Sequence, residues 1–385
     1  MTSFLARIYA FKAADAFILI YPLYAVMFVD AGLNPAQVAL ALAVWSTTAF
    51  VLEVPAGVVA DRWSRRWVLA VAQLFRLAGY ALWLAWPHFW GFVGGFALWG
   101  AKSAFTSGTF EALVYDELKA KARAEDYTRV IGRADAMQFA GILGASAVAA
   151  LVAKAGYAVL LEASLVACAV AAALPLTLPK VARSETAHET HYLAHLKLGL
   201  TQAIQAPALL DLIVFIALVM ALGGALDEFW SIFASRAGLS NSAVALFLGV
   251  MSAGQAVAAA LAHRVADRPD RLFYLAIAIG GGLLAIAAAF FHPASVLLLI
   301  VFSGLFKVVD TVFEGRLQHA IPDETRATLG SVKGFAVQAA VTALYLSFGP
   351  LAAATSYRTA FLTFGIGIVG LGAVYLLRRP RTIRA

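Results

Sequence analysis

The sequence predicts an all-α protein that crosses a membrane twelve times, and its composition, length and apolar pattern each support this fold class. Hydrophobic residues make up 62% of the 385 residues and charged residues only 13%. An ordinary soluble domain is about 45–50% apolar and about 25% charged. Each membrane span needs about 20 apolar residues, so at about 32 residues for a span and its loop twelve spans use the whole chain. A soluble enzyme is therefore excluded.

Polar residues, Gly and Pro divide the chain into six apolar runs, a polar gap and six further runs. The runs cover residues 8–29, 36–60, 67–87, 90–115, 130–153, 157–178, 208–234, 240–262, 272–291, 293–318, 328–353 and 357–377. We expect an N-terminal six-helix bundle at residues 1–179, a cytoplasmic connector at 180–207 and a C-terminal six-helix bundle at 208–385.

The positions of Lys and Arg predict the orientation, because cytoplasmic loops retain positive charge. With the N-terminus inside, only Lys154, Arg236 and Arg358 of the 29 basic residues fall in outer loops. Both termini are therefore predicted to be cytoplasmic, in a multi-pass protein of a bacterial-type inner membrane. The net charge of +7 is spread over these loops, so the lipid bilayer is the expected partner and nucleic acid is not.

Two short loop motifs occur once in each half of the chain. VADR at 59–62 recurs at 265–268, and DYTR at 126–129 resembles DETR at 323–326. Each pair falls at equivalent places of the two predicted bundles, which indicates an internal duplication. Duplicated halves of this kind hold a substrate near the midplane of the bilayer and expose it to alternate sides by rocking.

The first inner loop, GVVADRWSRRWVL at 57–69, resembles the loop signature G-x-L-A-D-R-x-G-R-K-x-x-L of the major facilitator superfamily. Six positions match, and Val59 and Ser64 depart from the pattern. The resemblance implies two pseudo-symmetric six-helix bundles, secondary transport and, more narrowly, a drug-efflux-like member. It also implies that this loop takes part in conformational switching, with the candidate gating residues Gly57, Asp61, Arg62, Arg65 and Arg66.

Physical chemistry suggests how this loop could act. Gly57 would permit close helix approach, and Asp61 would lie against the positive N-terminus of the eleventh span, near the segment from Thr328 to Ser331. The arginines would meet anionic headgroups or the acids Asp116 and Glu117. A simpler alternative is that the basic residues only fix the topology.

Ionisable side chains inside the bilayer cost several kcal/mol unless they are paired or hydrated, so each one is a functional candidate. They are concentrated in the first, fourth, seventh and tenth spans, which the family resemblance places around a central cavity. The candidate substrate-binding or proton-binding residues are Lys12, Asp15, Lys102, Glu111, Asp227, Glu228, Lys307, Asp310 and Glu314.

Helical spacing predicts contacts within this set. Lys307, Asp310 and Glu314 are spaced by three and four residues, so they share one face that we expect to line the cavity. Lys12 and Asp15 are three residues apart and are expected to pair. Purely structural ion pairs are the alternative for Lys12 with Asp15 and for Lys307 with Asp310.

Lysines in the fourth and tenth spans suggest a binding site for an anion. Lys102 and Lys307 occupy similar depths in corresponding helices, which suggests a two-lysine anion clamp. Lys102 and Glu111 are nine residues apart and are expected on opposite faces of one helix. Arg76 in the third span is expected to extend toward the inner surface.

Coupling to a proton would require a carboxylate that changes its exposure during the cycle. Asp15, Glu111 and Asp310 are the candidates. Asp227 and Glu228 lie nearer the outer end of their span, where solvation is an equal alternative.

These observations predict a monomeric secondary transporter of a small molecule, with proton-coupled efflux of an amphipathic or drug-like compound as the leading form. A carrier of organic anions that uses Lys102 and Lys307 is the close alternative. A receptor or scaffold that does not transport belongs to a different class. No cofactor and no metal is expected, with H⁺ as the coupling ion. Catalysis is not expected either, because no nucleophile and base occur at a workable spacing.

Overall fold

The computed structural model describes residues 2–178, 206–321 and 325–378, without the side chains of residues 2 and 326–328. Within these ranges all regular structure is helical. The α-helices are α1 (Thr2–Ala16), α2 (Tyr24–Asp30), α3 (Pro35–Arg62), α4 (Arg65–Ala85), α5 (Phe89–Thr106), α6 (Thr109–Ala120), α7 (Tyr127–Val152), α8 (Tyr157–Leu176), α9 (Pro207–Met220), α10 (Trp230–Arg236), α11 (Asn241–Leu261), α12 (Asp270–Phe290), α13 (Val296–Ala320), α14 (Arg326–Ala354) and α15 (Tyr357–Leu377). The predicted connector lies almost entirely outside the described residues.

Ten helical stretches in the described part of the chain are long and apolar enough to cross a membrane. They correspond to ten of the twelve predicted spans. The other two predictions, 8–29 and 90–115, are wrong as continuous helices, because each of these segments contains two shorter helices. The sequence pattern missed both breaks because each lies inside a segment that is apolar enough on average to read as one span.

The first break separates α1 from α2 between Ala16 and Tyr24. Pro22 has no N–H to donate, and its ring disfavours the helical conformation of the residue before it. The N–H of Ile20 in this turn donates to Oγ of Ser164 in α8 at 3.0 Å. This contact satisfies a backbone donor at a depth where water is scarce.

The second break separates α5 from α6 at Ser107 and Gly108. Gly108 has φ +69°, a left-handed conformation that glycine adopts without the penalty of a Cβ. The hydroxyl of Thr106 donates back to the carbonyls of Lys102 and Ser103, at 2.8 and 3.1 Å. Because the helix restarts after Gly108, the angular relation between α5 and α6 differs from that of one continuous helix.

The third irregularity lies between α9 and α10, where the seventh span changes pitch without leaving the helical form. Residues Ala221–Ala225 form a π-helical turn and Leu226–Phe229 a 3-10 turn. Such π turns occur often at functional sites. The first and seventh spans hold corresponding places in the two predicted halves, and irregular helices at such a pair of places are typical of transporter binding sites.

The helices form two compact units. The first comprises the described residues of Met1–Leu33, Ala41–His188 and Ser240–Ser252, and the second those of Asn34–Leu40, Glu189–Leu239 and Ala253–Ala385. In the first unit α1 packs on α7, and α4 packs on both α5 and α8. In the second unit α12 packs on α13 and α15, and α9 packs on α14.

Aromatic contacts and close approach through glycine both contribute to the cores of the two units. The first contains stacked and edge-on aromatic rings, among them Phe28, which lies with its centroid 4.1 Å from Phe92 and 5.0 Å from Trp83. In the second, α12 and α15 approach through small residues: a Cβ on Gly281 would lie 2.6 Å from the backbone nitrogen of Val369. Small residues of this kind allow helices to pack closely where lipid supplies no hydrophobic drive. Both cores hold rigid helices around the polar residues described next.

Candidate functional site

Asp15, in the last turn of α1, is the centre of a buried polar cluster in the first unit. Its Oδ1 accepts hydrogen bonds from Nε2 of Gln73 at 2.7 Å and from Nη2 of Arg76 at 2.9 Å. The ammonium of Lys102 lies 2.9 Å from Oδ1 and 3.1 Å from Oδ2. One carboxylate is thus shared by two cations, and this group, which we call the Asp15 cluster, carries one excess positive charge.

The positions of these donors follow from helix geometry. Gln73 and Arg76 are three residues apart on α4 and therefore share a face, and Nη2 of Arg76 also donates to Oε1 of Gln73 at 2.7 Å. Arg76 is only 4% exposed, so the prediction that it extends toward the inner surface is wrong. A buried guanidinium needs a counterion, and Asp15 supplies it.

Lys12 does not make the predicted pair with Asp15. Its ammonium lies 3.8 Å from Glu111 and 3.9 Å from Asp135, and it reaches Oε1 of Gln138 at 3.4 Å. These distances exceed those of well-formed charge-assisted hydrogen bonds. The reason for the difference is that Asp15 is already occupied by two cations, so Lys12 turns toward α6 and α7 and is held loosely there.

A cavity of about 370 Å³ opens beside these residues. Its lining consists of polar and charged side chains with two aromatic rings: Phe11, Lys12, Asp15, Lys102, Ser103, Thr106, Ser107, Gly108, Phe110, Glu111 and Gln138. The volume lies near the lower end of the 300–1,000 Å³ usual for small-molecule sites. The prediction that Lys102 and Glu111 face opposite ways is wrong, because the break at Gly108 turns α6 so that both line this cavity.

The acidic pair of the seventh span lies in the 3-10 turn after the π turn of the second unit. Oδ1 of Asp227 accepts from Nε1 of Trp230 at 2.5 Å, and Oδ2 accepts from Nε2 of Gln255 at 2.9 Å. Ser303 and Lys307 of α13 also interact with this carboxylate. Asp227 and Glu228 are both half-buried. Asp227 is thus held by protein donors, which differs from the solvated alternative.

The predicted polar face of α13 is divided between two partners. Lys307 pairs with Asp310 at 3.0 Å, which is the ion pair given as the structural alternative, and the role of this face in a cavity stays a prediction. Glu314 instead accepts from Lys333 of α14 at 2.8 Å and from Gln318 at 3.0 Å. The three residues share a helix face, but they do not form one cluster.

The gating candidates are partly brought together. Nη1 of Arg65 donates to the carboxylate of Asp116, as expected, and to the carbonyl of Ala112 at 3.2 Å. The other predicted acid, Glu117, pairs with Lys121. Arg66 donates to the carbonyl of Leu178 at 3.2 Å.

The remaining gating candidates lie at the end of α3. Among the described residues, no atom comes within 4 Å of a Cβ placed on Gly57, so the close approach predicted there is not seen. Asp61 and Arg62 are exposed. The predicted approach of Asp61 to the segment from Thr328 to Ser331 includes one side chain outside the described part of the chain, that of Thr328, and it stays a prediction.

Uncharged amides are the site residues that the sequence analysis missed. Gln73 and Gln255 hold the carboxylates of Asp15 and Asp227, and Gln138 reaches Lys12. A signal was present in the sequence: each is a polar residue within an apolar span, and Gln73 lies three residues before a charged one. Attention to full charges alone overlooks such residues.

Comparisons with known proteins agree with this architecture. The family model described as Major Facilitator Superfamily matches residues 6–308. A mutant form of the nucleoside transporter NupG has a similar structure, with 15% identity, a TM-score of 0.81, and 97% of this chain and 100% of that chain covered. A D-xylose–proton symporter is similar at 13% identity and a TM-score of 0.68, covering 96% of this chain and 95% of that one.

A bacterial homologue of the human lysosomal transporter Spinster is also similar, at 14% identity and a TM-score of 0.71, with 97% of this chain and 95% of that chain covered. Among curated proteins no significant match is found. At these identities the structural likeness shows the fold alone, whereas the family model extends over most of the chain. The chain therefore belongs to the major facilitator superfamily, as a multi-pass membrane transporter and not an enzyme.

Proposed function

We propose that this transporter moves a small organic anion across the cell membrane by alternating access, with the cavity of the first unit as its substrate site. The excess positive charge of the Asp15 cluster is the observation that carries the proposal. Arg76 and Lys102 share the single carboxylate of Asp15, and Lys102 lines the cavity. An unbalanced charge in a low-dielectric site is costly, so an anionic substrate group beside Lys102 would be stabilised.

The rest of the cavity supports a polar substrate. Ser103, Thr106, Ser107 and Gln138 line it, and hydroxyl and amide groups can donate to carboxylate, phosphate or hydroxyl oxygens. The loosely held ammonium of Lys12 offers a second cationic contact. The predicted partner in an anion clamp, Lys307, pairs with Asp310 in the second unit, so its part in binding remains a proposal.

Proton-coupled efflux of an amphipathic or drug-like compound is the second candidate. The rings of Phe11 and Phe110, with centroids 5.8 Å apart, give the cavity an apolar surface. The Glu111 side chain is 41% exposed and could attract a cationic drug. This arrangement would suit an amphipathic cation, although Lys12 and Lys102 in the same cavity oppose it.

The experiment is a substrate panel on purified protein in proteoliposomes containing a pH-sensitive dye, with direct uptake of labelled compounds as a second readout. The panel contains succinate, gluconate and glycerol phosphate as anions, tetraphenylphosphonium as a lipophilic cation and chloramphenicol as a neutral drug. We expect uptake or proton movement with an anion, lost in Lys102→Ala. Lys154→Ala, at an exposed lysine, is the matched control and should keep the response. A response to the cation alone would support the second candidate and contradict the first.

A further inference from the structure

We propose that Asp227, in the second unit, is the residue that binds and releases the coupling proton. The inference rests on the proposed transport function and adds to it a division of tasks: the first unit holds the substrate cavity, and the second holds the proton. The acids Asp15, Glu111 and Asp310 were the candidates from the sequence, and the structure separates Asp227 from all three.

Those three acids are each engaged with a cation. Asp15 lies between Arg76 and Lys102 at 2.9 Å from each, so protonating it would weaken two buried ion pairs. Asp310 pairs with Lys307 at 3.0 Å. Glu111 lies 3.8 Å from Lys12 and is 41% exposed, which leaves it hydrated and without a barrier to proton leakage.

Asp227 is held by neutral donors instead. Trp230 and Gln255 bind its two oxygens. Within the described ranges no Lys or Arg nitrogen lies within 4.0 Å of either oxygen, which is the limit for an ion pair. These donors tolerate both protonation states. The indole N–H of Trp230 can donate to a carboxylate or to a carboxylic acid, and the amide of Gln255 can turn its oxygen to accept the acid's O–H. Adding or removing a proton therefore leaves no buried polar group without a partner.

The other groups around Asp227 supply little fixed charge. Lys307 of α13 acts on it electrostatically, but that lysine is paired with Asp310. Ser303 interacts with the carboxylate from the same helix, and Glu228 follows it on its own turn. From α14 the ring of Tyr345 packs against Phe229 with centroids 6.0 Å apart. A single acid in such surroundings changes its charge without breaking a strong pair.

The backbone at this place is suited to move the carboxylate between two environments. Asp227 lies two residues after the π turn Ala221–Ala225, which contains Gly223 and Gly224. A Cβ on Gly223 would lie 2.9 Å from the ring of Phe306, so the turn packs tightly against α13 through glycine. Conversion of the π turn to regular α-helix would rotate the residues that follow it about the helix axis, and this would turn Asp227 and change its exposure.

Infrared difference spectroscopy on the full protein in lipid vesicles tests the assignment without any substrate. Lowering the pH should produce the C=O stretching band of a protonated carboxylic acid, which shifts in D₂O. The exposed acids of the chain also take up protons, so the contribution of Asp227 is the wild-type difference spectrum minus that of Asp227→Asn. We expect one such band in this subtraction, and no band at the same frequency when the control Glu162→Gln, at an exposed acid of α8, takes the place of Asp227→Asn. A subtraction without the band, or the same band with Glu162→Gln, would overturn the proposal.

Should Asp227→Asn fail to fold, Gln255→Leu replaces it. Loss of a donor to the charged form should shift the pH at which the band reaches half intensity by about one unit, and an unchanged midpoint would overturn the assignment. This measurement is independent of the substrate panel. A wild type that shows the band but transports no panel compound would contradict the proposed anion transport and leave the proton site standing.

Discussion

Arg65, at the start of α4, donates to the carboxylate of Asp116 near the end of α6, and the second unit holds an equivalent pair with its charges exchanged. There Asp270 begins α12, and Arg316 near the end of α13 donates to it. Arg316 also donates to the carbonyl of Ala266 at 2.8 Å. Both pairs join the start of one predicted span to the end of the next. An attraction is therefore present at the corresponding place of each predicted half, with its polarity reversed.

Reversal of polarity predicts that the charges of Arg65 and Asp116 can be exchanged. Arg65→Asp alone places two carboxylates together and should lower the free energy of unfolding by about 1 kcal/mol or more. Adding Asp116→Arg should restore most of the loss, because the attraction returns. The thermal unfolding midpoint in detergent, measured over the full double-mutant cycle, tests this. If the double variant loses as much free energy of unfolding as the two single variants lose together, the pair contributes nothing as an ion pair.

The excess charge of the Asp15 cluster predicts unequal effects on stability from its members. Asp15→Asn leaves Arg76 and Lys102 without a counterion and should cost about 3–5 kcal/mol. Lys102→Met leaves a neutral pair of Asp15 and Arg76 and should cost much less. Lys102→Met should also lose anion uptake, because it removes the excess positive charge at the cavity. Equal destabilisation of the two variants in thermal unfolding would contradict the idea that the cluster carries one cation in excess.

Apolar runs in the sequence predicted most of the spans, and charge complementarity predicted the Arg65 contact with Asp116. Helical spacing placed Lys307 and Asp310 on one face, and the ion pair given as the structural alternative is the contact observed. Helical spacing failed where the helix itself is interrupted. Lys102 and Glu111 were placed on opposite faces because helical spacing was carried across Gly108, and a left-handed residue removes the basis of that count. Contacts between distant helices, such as Arg76 with Asp15, depend on tertiary packing, which a local period does not contain.

The break at Gly108 leads to a further prediction about the cavity. A Cβ at this position meets no described atom within 4 Å, so Gly108→Ala should cost only the backbone strain of φ +69°, about 1–2 kcal/mol. The strain favours continuation of the helix, which would turn Glu111 out of the cavity. Binding of a cationic compound should then weaken, and binding of an anion should not. Gly132→Ala is the matched control, because Gly132 lies inside α7 with equally open space around it. It should be neutral or stabilise by about 0.5–1 kcal/mol, and a similar loss in both variants would contradict a special role for Gly108.

The break between α1 and α2 depends on one buried hydroxyl. Oγ of Ser164 accepts the N–H of Ile20 at 3.0 Å and donates to the carbonyl of Leu160 at 2.7 Å, and Ser164 is fully buried. Ser164→Ala leaves that N–H without a partner and should lower the free energy of unfolding by about 1–3 kcal/mol. Ser347→Ala is the control, since the exposed hydroxyl of Ser347 donates only within its own helix. Thermal unfolding of the two variants distinguishes the outcomes: a loss confined to Ser164→Ala means that α8 holds the broken first span in place, and equal midpoints mean that the turn is stable without this contact.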